Sequence, residues 1–158
     1  AGAILGINPF DQPNVQEAKD RTSQLLQAGG EPGLSPQGDV DALLESTRPS
    51  DYVCIQAFVD PAREGELAPL VRRASETGCV VTVGLGPRYL HSTGQLHKGG
   101  PNTGAFIQVV DEVEEELPIP GRDFGFRTLI RAQAAGDFQA LEERGRRIVR
   151  TRLEDVTG

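Results

Sequence analysis

The sequence has no methionine and no tryptophan, and only two each of tyrosine, histidine and cysteine among its 158 residues. Methionine is missing even at position 1, so the chain is expected to begin inside a longer open reading frame. Cys54 and Cys79 stand alone in separate apolar runs. Two isolated cysteines make neither a disulfide framework nor a zinc site, and buried reduced thiols of a cytoplasmic protein are the simpler expectation. No segment approaches the roughly 18 consecutive apolar residues that span a bilayer, and no signal peptide is visible, so no membrane role is expected. Positive charge is also in deficit. A formal net charge of −7 argues against non-specific nucleic-acid binding, which needs a basic face, although a local basic pocket for a sugar phosphate remains compatible with it.

What is present suffices for a core. Hydrophobic residues make up 37% of the chain, and its length fits one domain of ~100–200 residues with a short appendage.

Ala3-Ile4-Leu5-Gly6-Ile7 reads as a strand end or buried lead-in, and the prolines of Asn8-Pro9-Phe10-Asp11-Gln12-Pro13 force an irregular turn. A helix is predicted from about Asn14, with Glu17 in capping-box spacing and an apolar stripe of Val15, Ala18, Thr22, Leu25 and Leu26. It ends at Gly29-Gly30, and its stripe needs cover from a symmetry mate or the following domain. The organisation expected is therefore a terminal segment over 1–28, a Gly/Pro-rich linker over 29–38 and an α/β domain over 39–158.

In that domain Asp39 should cap a short helix carrying Val40, Leu43 and Leu44. Tyr52 to Val59 and Cys79 to Gly84 read as buried strands, with a third at Ala105 to Val110. A helix from about Ala62 to Thr77 conflicts with Pro69, which implies a kink or a later start. Helices are predicted over Phe124 to Ala135 and, capped by Asp137 after Gly136, on to Arg144. Ile148 to Leu153 reads as a last strand near a sheet edge. Alternating strands and helices predict an α/β three-layer sandwich with a mainly parallel sheet of about four or five strands, preceded by a short helical N-terminal segment.

The densest polar stretch, Gly84 to Asn102, holds both histidines, His91 and His97, with Ser92, Thr93, Arg88, Lys98 and five glycines. It follows the second strand, on the side where ligands bind in such sheets. Glycines let a backbone close on an anion, Ser92 and Thr93 could cap a helix whose N-terminus attracts phosphate, and a histidine moves protons near neutral pH. The functional reading is a phosphate or sugar pocket; the plain one is a surface loop with capping hydroxyls. Neither histidine has a nearby cysteine or carboxylate pair, so no metal is expected. Gly84-x-Gly86 lacks a third glycine at dinucleotide-fingerprint spacing, so no cofactor is expected either. By pattern alone Lys19 is a solvated lysine on an amphipathic helix, the run Glu112 to Glu116 a solvated connection, and the arginines from Arg144 to Arg152 a salt-bridged edge strand.

Two segments carry a resemblance. Leu5 to Lys19, with Asn8, Phe10-Asp11-Gln12, Val15 and a lysine seven residues after the glutamine, resembles the C-terminal signature of glucose-6-phosphate isomerases. The stretch Arg88 to Val110 is similar to bacterial proteins that fuse a transaldolase to this isomerase. Its His97-Lys98-Gly99-Gly100-Pro101-Asn102 is like the family's ring-opening histidine segment, and Phe124 to Leu129 like the helix start that follows. The resemblance implies that Gln12 holds substrate and Lys19 acts in ring opening. It maps the histidine onto His97, with His91 as the alternative, and makes Ser92, Thr93 and Lys98 substrate-binding. The reaction implied is the cofactor-free interconversion of glucose 6-phosphate and fructose 6-phosphate through an enediol, a step of carbohydrate metabolism.

Nothing here is similar to the family's glutamate base or its main phosphate loops, so this chain alone should be inactive. Its partners would be upstream isomerase and transaldolase domains of the same polypeptide, and a homo-oligomer is possible. In ordinary family members the histidine segment precedes the Asn-Pro-Phe-Asp-Gln segment, whereas here it follows. That order fits an appended sugar-isomerase-type (SIS) domain whose histidine is non-catalytic.

Overall fold

A computed structural model describes residues 2–8, 13–29 and 31–157. Four strands, β1 (Tyr52–Phe58), β2 (Val80–Leu85), β3 (Gly104–Val110) and β4 (Arg147–Arg152), form one sheet in the order β2-β1-β3-β4. Every neighbouring pair is parallel, with Val53 opposite Val81 and Ala105, and Ile107 opposite Val149. The α/β sandwich expected from the alternation is what forms, with four strands.

The two sheet faces are built differently. One is mainly apolar: Val53, Ile55, Ala105, Ile107 and Val149 meet Leu43 and Leu44 of α3 (Val40–Glu45) and Leu70 and Ala74 of α4 (Ala68–Ser75). Asp39 starts α3 as expected, its carboxylate accepting from the amides of Asp41 at 2.8 Å and Ala42 at 3.1 Å. Pro69 resolves by a later start: a 3-10 turn covers Pro61–Leu67, and α4 then begins with the proline in its first turn, where no intrahelical N–H is required.

The opposite face mixes Cys54, Phe58, Phe106 and Val110 with Gln56 and Gln108, and is covered by α5 (Gly94–Gly99) and α6 (Phe126–Glu143). Gln108 Nε2 donates to the Ala134 carbonyl at 2.9 Å and Arg150 Nε donates to Gln108 Oε1 at 2.7 Å. Arg150 also lies 4.2 Å over the Phe138 ring, and burial pushes its guanidinium down to about 10.

Three local expectations change. Ala3 to Leu5 belong to a short helix, α1 (Gly2–Leu5), not a strand, and Ile4 is 90% exposed. Gly136 neither ends nor divides a helix, because α6 runs through it. A Cβ there would sit 3.4 Å from Arg21 Cβ and Thr22 Oγ1, so α2 (Pro13–Gln27) packs closely on α6 at the glycine. The predicted helix over the N-terminal segment is thus present, and the domain that follows supplies its cover, aided by a 2.5 Å ion pair from Arg21 to Glu143. Finally, β2 is apolar but not buried. It lies at the sheet edge with Val80 70% and Val83 41% exposed, since among the described strands β1 alone flanks it.

Residues 31–38, expected to be a linker, run along the molecule. Leu34 is buried, and Gln37 makes an antiparallel bridge to Arg150 beside β4.

Candidate functional site

A cleft of about 640 Å³ opens where α2 meets the 3-10 turn Arg88–His91, the connection after β3 and the start of α6. From α2 come Lys19, Thr22, Ser23 and Leu26, and from the turn come Leu90 and His91. Ile119, Arg122 and Phe124 complete it with Phe126 and Leu129 of α6. Its walls are mainly apolar, while Lys19, His91 and Arg122 bring three basic side chains to the rim.

Local chemistry fixes those walls. The far wall is held by Glu116, which reaches across to α6. It accepts from the Arg127 amide at 2.8 Å, the Thr128 amide at 3.1 Å and the Thr128 hydroxyl at 2.6 Å. The N-cap position itself is Gly125, which offers no side chain, so a distant carboxylate satisfies these orphan donors. These bonds, led by the Thr128 hydroxyl, keep Glu116 below the usual carboxylate range. Arg127 and Arg131 pair with Glu31 at 2.9 and 3.1 Å, tying the chain after α2 to the same wall. Lys19, His91 and Arg122 form no ion pair with a described residue. In a chain of net charge −7, three such basic groups around one apolar cleft are chemistry suited to an anion with an apolar face.

The structure divides the residues singled out from sequence. Lys19 and His91 meet at the cleft. Gln12 lies outside the described residues. Ser92 and Thr93 are exposed; the Ser92 hydroxyl turns back to the Tyr89 carbonyl at 3.2 Å, and Thr93 takes the N-cap position of α5 without a side-chain bond. His97 and Lys98 are interior, 4% and 3% exposed, between β1 and α6. Lys98 Nζ is paired with Asp137, whose other oxygen accepts from the Tyr89 hydroxyl at 2.5 Å. His97 sits 3.6 Å from Cys54 Sγ and 3.4 Å from Gln56 Nε2, with the Phe106 ring 5.2 Å away. Burial pushes its imidazole down to about 4 and the Cys54 thiol up to about 11. His97 is accordingly neutral at pH 7, inside a packed polar cluster rather than at a surface.

Sequence reasoning missed Arg122. The one available signal was a lone arginine in the Pro-Gly-punctuated turn Pro120-Gly121-Arg122, just past the acidic run. No group of three or more metal-ligating side chains occurs among the described residues, and none of the described helices is long and apolar enough to cross a membrane.

No family model and no curated protein matches this chain. A solved structure of a hypothetical protein from Thermus thermophilus is similar in fold, with a TM-score of 0.55 and 18% sequence identity over 90% of this chain. The chain spans only 39% of that protein's length. At that identity the likeness establishes the α/β architecture and nothing about activity.

Proposed function

We propose that this chain is the C-terminal part of a glucose-6-phosphate isomerase, of the type fused to a transaldolase, and that it contributes Lys19 and Gln12 to an active site completed by upstream polypeptide. The observation that carries the reading is the cleft. The lysine of the signature Leu5 to Lys19 borders a cavity of about 640 Å³ that also receives His91 and Arg122. An aldose–ketose isomerisation needs positive groups near the sugar oxygens and phosphate, and a proton carrier for ring opening. Lys19 and Arg122 supply the first and His91 the second. His91 therefore takes precedence over His97 as the ring-opening candidate, because it is exposed at the cleft while His97 is enclosed. The glutamate base lies outside this chain, so the chain alone does not turn over glucose 6-phosphate.

A second reading has support of its own. The buried Lys98–Asp137 pair and the enclosed His97 suit an SIS-like module, in which the histidine segment serves packing and the domain serves assembly or sugar-phosphate binding.

The test is steady-state isomerase kinetics on the full-length protein. Lys19→Ala should lower kcat by about 10²–10⁴-fold, the usual worth of a positioned acid–base group, and His91→Ala should lower it far more than His97→Gln. Full activity in Lys19→Ala sinks the proposal. An effect of neither histidine, with altered ligand affinity or oligomer size, selects the second reading.

A further inference from the structure

His91 reaches the cleft by way of a short turn, and its imidazole makes no hydrogen bond or ion pair with a described residue. Its place is set by the backbone that carries it, and that backbone hangs on Tyr89. The Ser92 amide and hydroxyl both donate to the Tyr89 carbonyl, at 3.0 and 3.2 Å, closing a loop that contains Leu90 and His91. Successive side chains of a 3-10 turn point about 120° apart, so with Tyr89 directed inward His91 is left to the outside.

Tyr89 is 4% exposed and is fixed by three elements. Its Cβ lies against Gly84 of β2, where an added Cβ would come within 2.9 Å of it. Its ring meets Phe58 of β1 edge-on, with centroids 5.8 Å apart. Its hydroxyl donates to Asp137 of α6 at 2.5 Å. Burial, with the adjacent carboxylate, pushes the phenol well above its usual range and keeps the donated proton on its oxygen. The other Asp137 oxygen is held by Lys98 of α5. Asp137 thus ties the turn after β2 to α6, the helix that supplies Phe126 and Leu129 to the same cleft.

We infer that Tyr89, anchored by Asp137, is a positioning residue for His91 and sets its distance from a substrate held by Lys19 and Arg122. This role rests on the isomerase reading, in which His91 moves the ring-opening proton. Neither Tyr89 nor Asp137 lines the cleft, so both act through the histidine. A proton carrier displaced by about 1 Å costs up to about 10²-fold in rate. Lys19 on α2 and Arg122 on the connection after β3 are carried by other elements and keep their places when the turn shifts.

Steady-state kinetics of the full-length protein test this as a double-mutant cycle, with circular dichroism to confirm that each variant is folded. Tyr89→Phe keeps the ring and its packing and removes the bond to Asp137. It should lower kcat for glucose 6-phosphate by about 10–10²-fold and leave KM within about twofold. In a His91→Ala background the same substitution should change kcat by less than about twofold, because nothing is left to position. A role in stability alone would lower kcat by the same factor in both backgrounds. Gly84→Ala, which displaces the Tyr89 Cβ and keeps the hydroxyl, reaches the same turn by another route and should follow the same pattern. Equal factors in both backgrounds, or unchanged kcat in Tyr89→Phe and Gly84→Ala while His91→Ala is impaired, overturn the positioning role and leave the isomerase reading standing. A full-length protein without isomerase activity, or full activity in His91→Ala, overturns the isomerase role of His91 and the positioning role with it.

Discussion

Replacing Asp137 by Asn would leave the Lys98 ammonium buried beside a neutral partner, with shape and the Tyr89 hydrogen bond retained. The carboxylate is 1% exposed and Lys98 3%, so neither charge can be rehydrated without opening the layer between β1 and α6. Removing one partner of such a pair costs about 3–5 kcal/mol, against a total stability of about 5–15 kcal/mol for a domain. At about 2–4 °C per kcal/mol for a chain of this size, the melting temperature should fall by roughly 6–20 °C. Lys98→Met should cost a similar amount, since it strands the carboxylate. The double variant has no buried charge, and should lie within about 2 kcal/mol of wild type, the residue being an unpaired amide nitrogen. Urea unfolding followed by circular dichroism measures all four corners of this cycle. A coupling of at least about 4 kcal/mol, the two single losses together less the loss in the double, is expected. If the two single losses are each under about 1 kcal/mol, or add to give the double within about 0.5 kcal/mol, the pair is not the uncompensated-charge problem described.

Two further outcomes concern acid and helix packing. Because burial holds His97 at about 4 while an unfolded histidine titrates near 6.5, the unfolded chain binds the extra proton between these values. The contribution of His97 is complete above about pH 6.5, is lost as pH falls toward about 4, and amounts to about 3 kcal/mol. Comparing urea midpoints at pH 7 and 4.5, His97→Gln should lose less stability on acidification than wild type; equal losses would contradict this assignment. Gly136→Leu should push α2 off α6 at the Thr22 contact, raising amide exchange across Pro13–Gln27 while β1 and β3 stay protected. Uniform loss of protection would show instead that α2 is integral to the domain core.

The sequence determined the α/β class and the order of the four strands, because these follow from local rules. Continuous apolar runs, the Asp39 cap and the constraint at Pro69 act within a few residues of themselves. The amphipathic helix that carries Lys19 was legible for the same reason. Tertiary structure alone decided which apolar strand is an edge, since Val80 to Leu85 reads like the buried β3 until its neighbours are counted. It also decided that Gly136 lies inside a helix, because the reason for it is Thr22 of α2, more than a hundred residues away. The histidines show the same limit: only the fold separates His91, which meets Lys19 and Arg122 at the cleft, from His97, whose neighbours Cys54, Gln56 and Phe106 come from two strands. Their six-residue spacing could not reveal this, because burial is a property of what packs over a side chain and not of the side chain's own sequence.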